Sequence, residues 1–144
     1  MSIMNRENEI FYFERGAFFG GTLMYKIENM DNKFVFKGRA YNDFHWMPNM
    51  EFEIPEDEID KLIKRLRPVL KWKRKYEVEY GVDDGYGWDI RFNYKDIRIK
   101  TGGYEKYPRD YCRVIKSLQR FIERLGAKYN KEYQKDGYKE RIEL

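Results

Sequence analysis

The chain has one cysteine and one histidine, so the side chains that most often bind transition metals are nearly absent. Cys112 has no second cysteine to pair with, which excludes an internal disulfide. A structural zinc site takes four ligands that are mostly cysteine and histidine, and one of each is too few. We therefore expect a fold that is stabilised without a disulfide or a metal, and we predict no cofactor.

Long apolar segments are also lacking. No apolar run approaches the roughly 20 residues needed to cross a membrane, and residues 1–10 lack the apolar region of a secretory signal. The glycines between Gly16 and Thr22 are not followed by the Gly-Lys-Ser/Thr ending of a phosphate-binding loop. We therefore expect a cytoplasmic protein with no membrane contact and no small-molecule ligand.

The chain is rich in aromatic and charged residues. Aromatic residues make up 18% of the 144 residues and charged residues 38%, while the formal net charge is only +4. A chain of this length forms one domain and buries about two-thirds of the surface that its unfolded state exposes. We predict a single α+β domain over residues 1–129, followed by a polar tail or a short exposed helix over residues 130–144.

The alternation of apolar and polar residues predicts strands over residues 10–14, 22–28 and 34–41, and Met30-Asp31-Asn32-Lys33 is predicted to be the turn between the last two. Phe52 and Ile54 would add a short edge strand. A second alternation predicts a hairpin, in which residues 76–82 pair with residues 88–94 across an Asp84-Gly85 turn. In that register Val82 opposes Trp88, and a strand with Ile97 and Ile99 completes a three-stranded meander.

Two amphipathic helices are predicted, one after each group of strands. The first begins at Pro55, a favoured first helical residue, and should bend or break at Pro68. Its apolar stripe consists of Ile59, Leu62, Ile63, Leu66 and Leu70. The second is opened by Pro108 and ends near Gly126, and its apolar side consists of Tyr111, Val114, Ile115, Leu118, Phe121, Ile122 and Leu125.

These elements predict an α+β fold with an antiparallel sheet of about six strands in two three-stranded halves. Each half is followed by a helix. Because each helix has only one apolar stripe, we expect both helices to pack on one face of the sheet.

Basic residues follow the second helix at spacings of three and four, which places them on one side of it. They are Arg109, Arg113, Lys116, Arg120, Arg124 and Lys128. Like charges at these spacings destabilise a helix by roughly 0.2–0.5 kcal/mol per pair, so folding alone does not explain them. The first helix and the residues just after it repeat the pattern with Lys61, Lys64, Arg65, Arg67 and Lys71. We call these eleven residues the basic helical surface.

A surface of this kind suits an acidic protein surface, a nucleic acid or a nucleoprotein complex. Our first hypothesis is a non-enzymatic interaction module, such as a stoichiometric inhibitor or adaptor of a nucleic-acid-handling complex. Direct nucleic-acid binding is the alternative. The competing interpretation is a solvated face whose cations are neutralised by carboxylates elsewhere in the chain.

An enzyme is the third hypothesis, with a site near His45, Trp46 and Asp89. His45 and Cys112 could form a thiol–imidazole pair. Cys112, however, flanks the apolar stripe of the second helix, so we expect a half-buried and inert thiol. His45-Trp46 is better explained as a loop anchor, and no catalytic residue is predicted.

Three short segments carry a resemblance to known proteins: Asp84-Gly85-Tyr86-Gly87-Trp88, Gly103-Tyr104 and Tyr107-Pro108. Their order before a helix resembles small uncharacterised α+β proteins of Gram-positive bacteria and their phages. The resemblance covers residues 76–126 and implies no activity and no functional residues. In size and style the chain is also similar to phage-encoded inhibitors of host defence, including anti-CRISPR proteins. That likeness implies a protein that occupies a nucleic-acid channel of its target or binds beside it.

Overall fold

A computed structural model describes residues 8–17, 21–41, 50–77 and 86–130 of the chain, which form an α+β fold. Seven strands, two α-helices and a short 3-10 helix follow one another. They are β1 (Glu9–Ala17), β2 (Thr22–Met30), β3 (Lys33–Tyr41), β4 (Met50–Ile54), α1 (Glu56–Arg65), the 3-10 helix (Arg67–Lys71), β5 (Lys75–Glu77), β6 (Tyr86–Tyr94), β7 (Ile97–Tyr104) and α2 (Tyr111–Tyr129).

The strands form one sheet in the order β4-β3-β2-β1-β6-β7-β5. Every neighbouring pair is antiparallel except β5 and β7, which are parallel. The two parts of the chain meet where β1 pairs with β6, and Phe13 lies opposite Ile90 there. The α+β class is confirmed. The division into two three-stranded halves is not, since four strands precede α1 and all seven form one sheet.

The predicted hairpin between residues 76–82 and 88–94 is wrong. One edge of β6 is paired with β1 and the other with β7, so neither edge is open to the strand that precedes it in sequence. Trp88 lies opposite Arg15 and Gly103 instead of Val82. β5 pairs in parallel with Gly102–Tyr104 at the far edge, which rules out the meander. Residues 78–85, including the predicted turn, lie outside the described residues.

Local signals in the first part of the chain are confirmed. Asp31 and Asn32 connect β2 to β3 with φ angles of 55° and 67°. Two consecutive positive φ values are the geometry of a tight hairpin turn whose twist matches that of its strands. The short strand predicted at Phe52 and Ile54 is β4, and it lies at the sheet edge.

Pro68 ends the first helix as predicted. α1 stops at Arg65, and the chain continues as the 3-10 helix with proline in its first turn. Pro55 is the N-cap of α1 and not its first residue. The apolar stripe also changes after the break, because Val69 is buried whereas Leu70 is 53% exposed. A 3-10 helix has three residues per turn, so the α-helical spacing that predicted Leu70 does not hold there.

The seven apolar residues predicted to face the core from α2 are all buried. The helix itself spans Tyr111–Tyr129, about one turn later at each end than expected. Along the strands, alternate residues such as Phe13, Tyr25 and Ile90 enter the same core as Leu62 of α1. Both helices therefore pack on one face of the sheet, as expected.

Candidate anion-binding surface

All eleven residues of the basic helical surface are solvent-exposed in the structure. Lys61, Lys64 and Arg65 lie on α1, Arg67 and Lys71 on the 3-10 helix, and five of the remaining six on α2. Arg109 precedes α2, whose first residue is Tyr111, so it is not a helical member of the predicted series. The side-chain facing expected from helical spacing is otherwise correct.

The two helices lie side by side and antiparallel. Glu58 near the start of α1 contacts Arg124 near the end of α2, and Arg65 at the end of α1 contacts Ser117 in the middle of α2. Arg65 donates to the Ser117 hydroxyl at 3.1 Å and to its carbonyl oxygen at 3.3 Å. These contacts bring the basic residues of both helices to one seam, so the two faces form one surface.

Glu58 is an acidic centre within this surface that sequence reasoning missed. Its side chain is 0% exposed, and its carboxylate accepts hydrogen bonds from Arg124 at 3.0 Å and from the Tyr129 hydroxyl at 2.7 Å. Lys61 and Lys128 lie 3.8 and 3.9 Å from the same carboxylate. Three members of the basic helical surface are thus neutralised by the chain's own acid.

The pKa of the Glu58 carboxyl reflects this arrangement. Burial would raise the pKa, but the hydrogen bonds from Tyr129 and Arg124 and the nearby positive charges hold it below its usual value. Burial and the hydrogen bond to this carboxylate also raise the pKa of Tyr129 to about 12. Glu58 is therefore ionised at neutral pH, and its interactions with α2 hold the two helices together.

A larger part of the basic helical surface has no such acid. In the described ranges, no carboxylate lies within 4.0 Å of seven of its cations: Lys64, Arg65, Arg67, Lys71, Arg109, Lys116 and Arg120. Arg113 has only a 3.9 Å pair with Asp110, and its own side chain is 82% exposed. An exposed pair at that distance contributes little. Folding therefore explains fewer than half of these charges.

The opposite face of the sheet shows a different arrangement of charge. Lys26 and Lys37 both pair with Glu28, at 3.4 and 2.7 Å. Arg91 binds Glu9 at 3.0 Å and Asp89 at 2.5 Å. Lys33 and Arg39 also pair with glutamates, so five cations of this face have acidic partners. Two further cations of this face, Arg98 and Lys100, have no carboxylate within 4.0 Å in the described ranges, so unmatched cations are more numerous on the helices but are not confined to them.

A groove opens within the basic helical surface, between the 3-10 helix, β7 and the start of α2. We call it the apolar groove; its volume is about 860 Å³. Its apolar lining residues are Ile63, Pro68, Leu70, Trp72 and Ile97, and its charged ones are Arg67, Lys71, Asp110 and Arg113. The Trp72 indole donates to Asp110 at 2.9 Å, which fixes one wall. Three predicted binding residues therefore surround an apolar surface that was not predicted from the sequence.

Trp88, Gly103 and Tyr107, which belong to the segments that carried the family resemblance, meet at one corner of the fold, whereas Asp84 and Gly85 lie outside the described residues. Trp88 lies over Gly103, and its indole donates to the carbonyl oxygen of Lys106 at 3.0 Å. The ring of Tyr107 stacks on Trp88 at 6.4 Å, and Tyr111 lies 5.0 Å from Trp88. A side chain at position 103 would collide with the indole. Packing at this corner accounts for these residues.

The other sites considered from sequence find little support. Cys112 is exposed, so the half-buried thiol expected at this position is wrong. Asp89 is in contact with Arg91. His45 and Trp46 lie outside the described residues, as do residues 131–144 of the predicted tail.

Neither a cluster of metal-ligating side chains nor a membrane-spanning helix is found in the described ranges. These ranges contain no group of three or more His, Cys, Asp or Glu side chains that could hold a metal ion. No helix among them is both long and apolar enough to span a membrane. In comparisons with known proteins, no family model matches the chain, and neither the curated proteins nor the solved structures include a significant match. The geometry and charge of the surface are therefore the basis for a functional proposal.

Proposed function

We propose that this protein is a non-enzymatic interaction module that binds the anionic surface of a macromolecular partner through the basic helical surface. A stoichiometric inhibitor or adaptor of a nucleic-acid-handling complex is the role that we favour. The observation that carries the proposal is the set of seven exposed cations that have no acid within 4.0 Å among the described residues, whereas five cations on the opposite face of the sheet have one.

The physical reason is the free energy of unmatched charge. Lys116 and Arg120 are one helical turn apart, and their repulsion makes a small unfavourable contribution to the stability of α2. The anionic groups of an acidic partner would attract both cations and so offset their mutual repulsion. They would also accelerate association. The cations that Glu58 neutralises serve the packing of α1 on α2 and are not required for this binding.

An acidic protein surface is favoured over nucleic acid as the partner. Leu70 is 53% exposed among these cations, and a phosphate backbone offers no apolar group to cover it. Protein interfaces, in contrast, combine an apolar centre with a charged rim in which arginine is enriched.

Charge reversal tests the proposal. We compare the wild type with the double variant Lys116→Glu/Arg120→Glu and with the control Lys33→Glu/Lys100→Glu on the opposite sheet face. Each reversal changes the charge by −2, so both doubles lower the formal net charge from +4 to 0. Fluorescently labelled polyglutamate, duplex DNA and single-stranded DNA are the probes, and binding is measured by fluorescence polarisation at about 50 mM salt.

We expect polyglutamate to bind the wild type, the helical double to weaken that binding by at least about tenfold, and the control double to change it by less than about twofold. Equal losses in both doubles, or no binding of any probe, would contradict the proposal. Binding of DNA alone, with a log–log salt slope of about −3 to −5 for four to six phosphate contacts, would replace it by direct nucleic-acid binding.

A further inference from the structure

We infer that the apolar groove binds an acidic segment of a partner protein that carries a large apolar side chain between its acidic residues. This inference rests on the proposed function and names the part of the partner that gives specificity. Unmatched cations alone attract any anion. The apolar groove adds a surface that only some anionic partners can cover.

The apolar groove contains hydrophobic side chains that the protein core does not cover. Leu70 is 53% exposed, and no other large hydrophobic residue in the described ranges is more than half exposed. Ile63 and Ile97 beside it are only half-buried, although the spacing of the first helix predicts a core position for Ile63. The volume of about 860 Å³ is in the range of pockets that enclose ligands or anchoring side chains. An apolar side chain of the partner would remove all three from water.

Three exposed cations lie around the apolar groove. Arg67 and Lys71 flank Leu70 on the 3-10 helix and have no acid within 4.0 Å in the part of the chain that the structure describes. Arg113 contributes a third from α2. Asp110 accepts from the Trp72 indole and lies 3.9 Å from Arg113, so it offsets part of the Arg113 charge and leaves Arg67 and Lys71 without an acid among the described residues. Acidic residues on both sides of the inserted side chain would complement this arrangement.

The chemistry of the groove argues against a nucleic-acid occupant. Single-stranded nucleic acids bind by stacking their bases on exposed aromatic faces. The aromatic residue of the groove is Trp72, whose ring already packs against Trp88 at 5.7 Å and Tyr111 at 6.1 Å. The other apolar lining residues are aliphatic and offer no stacking face.

Two short synthetic peptides test the inference. One has a pair of leucines between glutamates, and the other has serines in place of the leucines, so both have the same charge. Their affinities are measured against the wild type, Leu70→Ser and the control Met30→Ser. Met30 is a matched control because it is also a large exposed hydrophobic residue, 46% exposed, and lies at the end of β2 outside the groove. Circular dichroism verifies that both variants are folded.

We expect the leucine peptide to bind the wild type at least about tenfold more tightly than the serine peptide. The substitution Leu70→Ser should abolish that difference, and Met30→Ser should preserve it. NMR shifts on titration should be largest at Ile63, Leu70 and Ile97. Equal binding of the two peptides, or a preference that survives Leu70→Ser, would overturn the groove inference while leaving charge-driven binding intact. If neither peptide binds, both proposals are overturned.

Discussion

Replacing Glu58 with glutamine separates the structural from the functional part of the basic helical surface. The glutamine side chain has nearly the same shape, but its amide provides one acceptor oxygen where the carboxylate provides two. In the wild type the two oxygens accept from Arg124 at 3.0 Å and from Tyr129 at 2.7 Å. One of these donors would face an NH₂ group in the variant.

The expected loss of stability depends on how exposed the cations are that contact Glu58. A hydrogen bond to a charged group contributes roughly 1.5–3 kcal/mol. Removing one partner of a fully buried ion pair costs more, roughly 3–5 kcal/mol, because an isolated charge stays buried. Here the three cations are 41–56% exposed and return to water. We therefore expect Glu58→Gln to lower the free energy of unfolding by about 2–3 kcal/mol.

Urea denaturation followed by circular dichroism measures this loss, and Asp57→Asn is the matched control. Asp57 lies in the same first turn of α1, but its carboxylate is exposed, and among the described residues it forms an ion pair only with Lys61, at 3.7 Å. An exposed pair of this kind contributes about 0.3–0.5 kcal/mol. If the two variants lost the same stability, the assignment of Glu58 as the buried centre would be refuted.

The pH dependence gives an independent check. The pKa of Glu58 in the folded protein is lower than its unfolded value of 4.5. The stability that its ionised form contributes is therefore present above 4.5 and is lost as the pH falls through the folded-state pKa. The difference in the free energy of unfolding between the wild type and Glu58→Gln should therefore become smaller as the pH is lowered. If this difference in stability did not change with pH, the charge of Glu58 would not stabilise the fold.

Four further substitutions should change stability by different amounts. Leu118→Ala deletes a fully buried core side chain and should lower the free energy of unfolding by about 2–5 kcal/mol, visible as a lower melting temperature. In Gly103→Ala the new Cβ would lie 2.5 Å from the Trp88 indole nitrogen, so we expect a loss of about 1–3 kcal/mol and a changed Trp88 fluorescence. Arg120→Glu should leave urea stability within about 0.5 kcal/mol of wild type, whereas Arg124→Glu should lower it by about 3 kcal/mol or more because a second carboxylate would face the buried one. Equal effects of the two arginine reversals would contradict this division of the surface.

The basic helical surface shows how far sequence reasoning reaches into a site. Helical spacing placed Arg113, Lys116 and Arg120 on the solvent side of α2 because neighbours at three and four residues share a face. It could not separate Arg120 from Arg124. That difference depends on Glu58, which lies 66 residues away from Arg124 in sequence. Helical spacing places Glu58 on the side of Leu62 and Leu66 and Asp57 on the side of Lys61 and Arg65, so the sequence indicates which acid lies next to the core but not that Arg124 and Tyr129 bind it.

For the fold as well, some features follow from the sequence and others depend on the tertiary structure. The apolar stripe of α2, the Asp31-Asn32 turn and the break at Pro68 follow from the amino-acid sequence alone, because each depends on backbone preferences and neighbours within one or two turns. The pairing of β1 with β6, the parallel addition of β5 and the exposure of Leu70 were decided by the tertiary structure. The alternation of apolar and polar residues predicts which residues of a strand share a face, but it does not predict which other strand will pair with that strand. Partner choice and burial are set by contacts between segments that are distant in sequence, and those contacts form only when the whole core packs.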